Sequence, residues 1–312
     1  MNSKVLAVGE ILWDLLPSGK QLGGAPANFA YHAHALGAEV RVVSRVGNDP
    51  LGREILARLR ALGLPTDGVG VDADAPTGTV SVELAADGQP RFTIHENVAW
   101  DRLVADEASL AFAAQADAVC FGSLGQRSEA SRSSIRKLVV ATPPTALRVF
   151  DINLRQHFHS RDIVEDSLRL ANVLKLNDTE LPVLAAMFGL SGGIREQLAA
   201  LAERFGLHTV ALTRGAHGSV LHVAASLRDA GQDDGRSRSD RATFAWSEHP
   251  GLTVKVVDSV GAGDAFAAAV ALGLLAGHRL DDINRRANEV AAYVCSQSGA
   301  TPVLPASFKE GQ

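Results

Sequence analysis

The sequence predicts an α/β fold: one domain over residues 1–312, built on a doubly wound, mostly parallel sheet, with a small β lid. Three observations carry this. Short apolar, β-branched runs alternate with helical stretches along most of the chain, the pattern of parallel strands joined by crossover helices. Residues 77–94 break that rhythm with two strand-like runs around a hairpin signal. The composition, 46% apolar and 21% charged over 312 residues, supplies a substantial core and makes wholesale disorder implausible.

Val5–Val8 reads as a buried strand ending at Gly9. Ala25–Leu36 reads as a helix of small residues stopped by Gly37. Val40–Val43 is the next strand, and Pro50–Leu62 the next helix, ended by Gly63. Gly47 and Asn48 turn the chain near the same pocket as the first helix. Thr79–Leu84 and Pro90–Ile94 flank Asp87 and Gly88, a hairpin turn, and Ile11–Leu16 can add a strand to them. The lid is therefore placed at about 11–22 and 77–98. The alternation resumes with strands at Ala118–Phe121, Leu147–Phe150, Val173–Leu176 and Thr209–Leu212. Helices at Ser128–Val140 and Gly193–Phe205 fall between them. Val220–Val223 and Thr243–Trp246 read as strands around a polar loop, Ala230–Asp240, with no chemistry of its own. Thr253–Val257 reads as a last β-type stretch before an alanine-rich helix, Asp264–Ala276.

The junction before that helix says most about chemistry. Gly261 and Gly263 let backbone N–H groups converge, and the helix adds its orphan donors and positive dipole end. Such a nest suits an oxyanion or a phosphate. Asp264 stands where the anion would bind. It is either a helix cap or a base taking a proton from an attacking hydroxyl. Gly23 and Gly24 allow close approach of backbone to a ligand, and Asn28 offers both donor and acceptor.

The segment Gly23, Gly24, Ala25, Pro26, Ala27, Asn28 and the segment Asp258, Ser259, Val260, Gly261, Ala262, Gly263, Asp264 together resemble the PfkB, ribokinase-like, carbohydrate kinases. The resemblance runs from Val5 to about Pro305. Asp151, Asn153 and Arg155, then Asn177 and Glu180, then Thr213, Gly215 and Gly218 agree with it. It implies ATP-dependent phosphorylation of a hydroxyl on a sugar or nucleoside, with a β lid over the acceptor. It assigns catalysis to Asp264 with the backbone of Gly261, Ala262 and Gly263. It assigns the sugar to Asp14, Gly23, Gly24, Asn28 and Arg155, and His95 on the lid joins them. Asn177, Thr213, Gly215, Gly218 and Asn288 fall to ATP. Glu180 falls to magnesium through water, and Asp258 with the backbone of Val260 to a monovalent cation, potassium. Lys175 is either a phosphate contact or a solvated strand-end lysine.

Asn97–Asp101 looks more like fructokinases than adenosine kinases, so fructose is the expected sugar. An arginine at position 155 also occurs in ketodeoxygluconate kinases, which makes 2-keto-3-deoxygluconate the close rival, ahead of ribose and nucleosides. A catalytically silent sugar-binding protein is the alternative of another class. A dehydrogenase is excluded because no G-x-G-x-x-G follows the first strand. The net charge of −5 and the lack of a basic stripe argue against nucleic acid. Cys120 and Cys295 have no metal spacing and read as small buried hydrophobes. His157 and His159 lack a third ligand. The apolar runs are too short for a signal peptide or a bilayer span, so a cytoplasmic protein is expected. A two-stranded flap cannot bury both faces, so a homodimer through the lid is expected.

Overall fold

A computed structural model describes residues 2–16, 19–84, 90–224 and 245–309. The strands of the main sheet are β1 (Lys4–Val8), β4 (Glu39–Gly47), β5 (Val69–Asp72), β8 (Ala118–Gly122), β9 (Leu147–Asp151), β10 (Val173–Asn177), β11 (Thr209–Thr213), β12 (Ser219–Val223) and β13 (Ala245–His249). Their spatial order is β13-β12-β11-β10-β9-β8-β1-β4-β5. Pairing is parallel from β5 to β11, and β12 and β13 join antiparallel at one edge. The chain leaves β1 toward β4 on one side and returns to β8 on the other. β1 is therefore the switch point, and the crevice beyond its carboxyl end is where an open α/β sheet binds ligands.

Side-chain alternation along each strand sorts the core onto two faces. Val5, Ala7, Ala118, Val149 and Val173 pack with helices α1 (Ala25–Ala35), α8 (Ala262–Leu275) and α9 (Leu280–Cys295). Leu6, Val8, Val119, Phe150 and Leu174 pack on the opposite face. The helices there include α4 (Glu129–Ala141), α5 (Arg161–Leu170), α6 (Glu180–Phe188) and α7 (Ile194–Phe205). Two further connections, α2 (Pro50–Ala61) and α3 (Glu107–Ala113), complete the α-helices among the described residues.

The lid is a separate four-stranded sheet, in the order β3-β2-β6-β7, formed by β2 (Leu12–Leu16), β3 (Gly19–Gly23), β6 (Thr79–Leu84) and β7 (Pro90–Ile94). Its root has a small core of its own, in which Leu12, Val80, Ile94, Trp100 and Phe158 are all buried. Arg127 locks this root. Its guanidinium lies 3.9 Å over the Trp100 ring and 4.7 Å over the Phe158 ring. It also grips Asp101 through two bonds of 2.8 Å. The Asn97–Asp101 segment thus anchors the lid. Gly47 adds to this through its N–H, which donates to Thr77 Oγ1 at 3.0 Å just before β6, whereas the Asn48 N–H donates to the Asp72 carbonyl at 2.8 Å and continues the β4–β5 pairing of the main sheet.

Several sequence expectations need correction or completion. Thr253–Val257 forms no strand: Val254, Val256 and Val257 are exposed, and the N–H groups of Val257 and Asp258 both donate to the Cys295 carbonyl. β-propensity there finds no neighbouring strand among the described residues. Helix α8 begins at Ala262, two residues before Asp264. β5 and β3 went unread, and β4 runs on to Gly47. The 87–88 turn and the 230–240 loop lie outside the described residues. No helix among those described is long and apolar enough to cross a membrane.

Candidate active site

A cavity of about 740 Å³ opens at the carboxyl ends of β1, β9, β10 and β11, between the sheet and the lid. Two helix starts close it from one side. At the first, Asn28 of α1 donates from Nδ2 to Asp264 Oδ2 at 2.9 Å, joining two segments 236 residues apart. Gly23 makes room for this wall, since a Cβ there would overlap the Asp14 carboxylate. At the second, Gly261 takes the left-handed conformation (φ 80°) as the N-cap of α8, packed so tightly on Ala300 that a Cβ would overlap its carbonyl. No side chain caps α8. Its first N–H groups, those of Gly263 and Asp264 among them, have no intrahelical acceptor and face the cavity with the positive end of the dipole.

Beneath that helix start lies a buried ion pair that the sequence reading missed. Lys175 and Asp151 are direct partners in the β9–β10 register, and Nζ donates to Oδ1 at 3.1 Å. Lys175 is 7% and Asp151 4% exposed. Nζ sits 3.0 Å from where a Cβ on Gly263 would stand. Burial works against the lysine's charge, but Asp151, Glu180 and Asp264 outweigh it and hold the pKa above its ordinary value. The solvated reading of Lys175 is therefore wrong. The strand alternation turns it inward, under α8.

Three carboxyl groups in the cavity have raised pKa values. Asp264 is pushed up to about 6, mainly by burial and then by Asp151, against the pull of Lys175, the Asn28 bond and Arg155. Asp14 reaches about 6 by burial, against Arg155. Glu10, directly after β1, was not anticipated. Burial takes it to about 7, opposed by its own N–H, by Arg155 and by the Ala25 N–H, while Asp264 adds to the rise. Arg155 lines the same cavity and faces all three. Strongly shifted groups converging in one cleft mark a candidate catalytic centre.

The other expected residues divide. Asn177 and Thr213 line the cavity at the ends of β10 and β11. Asn177 also caps the start of α6, its Oδ1 accepting from the Thr179 and Glu180 N–H groups at 2.9 Å. Glu180 is 4% exposed, and its oxygens accept from Leu154 N–H at 2.9 Å and Asn177 N–H at 2.8 Å. Direct metal ligation does not fit a carboxylate held this way, whereas contact through water does. Asp258 knits its loop, accepting from Val260 N–H at 3.0 Å and Gly299 N–H at 3.1 Å, and the Val260 side chain lines the cavity edge.

Two expected residues stand apart. His95 is exposed and pairs with Ser81 at 2.7 Å. Phe92, Ile94 and Val80 face the cavity, so the alternation of β6 and β7 turns Ser81 and His95 outward. Asn288 is buried behind the Gly215–Gly218 turn. It donates to Ser219 Oγ at 2.7 Å and to the Asn284 carbonyl at 2.8 Å, tying α9 to β12. Gly215 and Gly218 form that tight turn, beyond Thr213.

The family model described as pfkB family carbohydrate kinase matches residues 18–307. A fructokinase of Klebsiella pneumoniae is 32% identical, over 98% of this chain and 97% of its own. Among solved structures, a sugar kinase of Pyrococcus horikoshii in complex with ATP superposes with a TM-score of 0.75 at 27% identity, covering 95% of this chain and 94% of its own. A fructokinase of Vibrio cholerae with bound fructose, ADP and calcium gives 0.77 at 25% identity, covering 98% and 97%.

Proposed function

The chain belongs to the pfkB family of carbohydrate kinases, and on that premise we propose that it transfers the γ-phosphoryl group of ATP to fructose. The observation that carries the choice of sugar is the company Arg155 keeps. Its guanidinium lines one cavity with the Asp14, Glu10 and Asp264 carboxyl groups and attracts all three through space, while its hydrogen bond goes to the Leu154 carbonyl at 3.2 Å. An acidic sugar would add a fourth carboxylate to that set, whereas the hydroxyls of a neutral sugar can be shared between acceptor carboxylates and the guanidinium fork. The Vibrio cholerae fructokinase, solved with fructose, ADP and calcium bound, supports the same choice.

The residues divide the work of phosphoryl transfer, which is mostly positioning and charge stabilisation. Asn28 fixes Asp264 by holding Oδ2, which leaves Oδ1 to accept the proton of the attacking hydroxyl. A base with a pKa near 6 is ionised at neutral pH yet still basic enough to draw that proton. The N–H groups of Gly261 and Gly263 receive the charge developing on the transferred group, while the Ala262 N–H donates to the Ser259 carbonyl at 3.4 Å and Ala262 does not line the cavity. Lys175 adds a positive charge beneath them. Asn177 and Thr213 border the nucleotide side. Magnesium, when bound with ATP, supplies further charge neutralisation, and Glu180 would meet it through water. Asp258 and the Val260 backbone are the candidate monovalent-cation loop.

Comparing kcat/KM for fructose, 2-keto-3-deoxygluconate, ribose and adenosine tests the proposal. Fructose is expected to lead. Arg155→Ala should lower kcat/KM for fructose by about 10- to 150-fold, the worth of a hydrogen bond with one charged partner. A wild-type preference for the acid would overturn the choice of sugar.

A further inference from the structure

The loop after β9 carries Arg155 into the cavity, and its backbone is unusual. Asn153 (φ 40°) and Gln156 (φ 45°) are both left-handed without being glycine. Asparagine tolerates that region; glutamine has no special aptitude for it. Such a conformation persists only where the surroundings over-determine it, and it concentrates at ligand clamps.

Here the surroundings act from two sides. On the body side, the Leu154 N–H is held by Glu180 Oε1 at 2.9 Å, while Glu180 Oε2 holds the end of β10 at Asn177. On the lid side, Gln156 Nε2 donates to the Phe92 carbonyl at 2.6 Å. Phe92 belongs to β7, the outer strand of the lid sheet, and an edge strand presents carbonyls that no ladder takes up. Phe92 and Ile94 of that strand also wall the cavity.

We propose that Gln156 is a positioning residue for the sugar: its side chain latches β7 across the cavity, and its left-handed backbone sets Arg155 beneath the closed lid. This rests on the reading of the cavity as a sugar site. Binding of the acceptor is then tied to lid position through one hydrogen bond and one strained residue, and the nucleotide side is left alone.

Gln156→Leu removes the donor and keeps the bulk. Its KM for fructose should rise about two- to tenfold, the range open to one neutral hydrogen bond. KM for ATP and kcat should stay within about twofold of wild type. Amide hydrogen exchange in β7, measured with no sugar present, should accelerate while exchange in β10 and β11 does not change. Gln156→Gly also releases the backbone, so it should reproduce the faster β7 exchange and lower kcat as well, because Arg155 is then less firmly placed. Unchanged β7 exchange in both variants would overturn the latch, as would equal rises in KM for sugar and ATP. The exchange measurement does not depend on the substrate. A wild-type protein that phosphorylates no sugar would therefore remove the sugar reading, and exchange alone would decide whether the latch exists.

Discussion

Replacing Asp264 by Asn will lower kcat by about 10²- to 10⁴-fold, the range a positioned general base contributes. The Asn28 contact can survive in the variant, because the new side chain still offers an oxygen to Nδ2. Stability should move the other way. The folded-state pKa of Asp264 is raised from 3.8 to about 6, so the folded protein keeps a proton that the unfolded chain has given up. That contribution to stability is complete below pH 3.8 and lost as pH rises through about 6. At neutral pH the ionised, buried Asp264 is therefore a burden, and the amide should stabilise the fold, on the order of 1–3 kcal/mol. In the wild type, kcat/KM should fall as pH drops below about 6, where Asp264 takes up its proton. A variant that loses turnover together with denaturant stability would mean that Asp264 holds the structure rather than performing the chemistry.

Lys175→Met should have the largest effect on stability. It strands Asp151 without its partner in a dry setting, and breaking such a pair costs about 3–5 kcal/mol. Lys175 has a raised pKa in the folded state, so its contribution is complete at neutral pH and lost only as pH rises through that raised value. Urea midpoints at pH 7 measure the loss directly. The same substitution removes a charge that lowers the pKa of Asp264, so the acid limb of the rate profile should move to higher pH. An unchanged limb in a folded variant would separate the two groups and remove Lys175 from the electrostatics of the site.

Strand parity explains most of what the sequence made legible and what it hid. The runs at Val5–Val8 and Ala118–Phe121 are readable because each buries both faces against helices, leaving continuous apolar stretches. The same parity places Asp151 and Lys175 inward, one position apart from the apolar residues of the opposite face. Charge at a strand end reads as solvated, and the inward direction was the signal passed over. The outward position of His95 also follows from parity, one step beyond Ile94. Val69–Asp72 is a four-residue strand containing Gly70, too short and too weak in pattern to stand out. Thr253–Val257 shows the reverse error, since strong β-branching cannot make a strand without a partner. The contact of Asn28 with Asp264 has no local signature. Only the resemblance of two distant glycine motifs to one family brought them together. Glu10 follows a glycine at a strand end, and nothing in the chain alone distinguishes its burial from an exposed turn.

The proposed chemistry turns on one event, the meeting of a sugar hydroxyl and a phosphoryl donor at Asp264 in the cavity between sheet and lid. The most direct test is ADP release from magnesium-ATP by the wild-type protein, with and without fructose, alongside the sugar phosphate formed. ADP formation should require both fructose and a divalent cation, with one sugar phosphate formed for each ADP. Fructose that binds without releasing ADP, or ADP release indifferent to the sugar or to excess chelator, would contradict it.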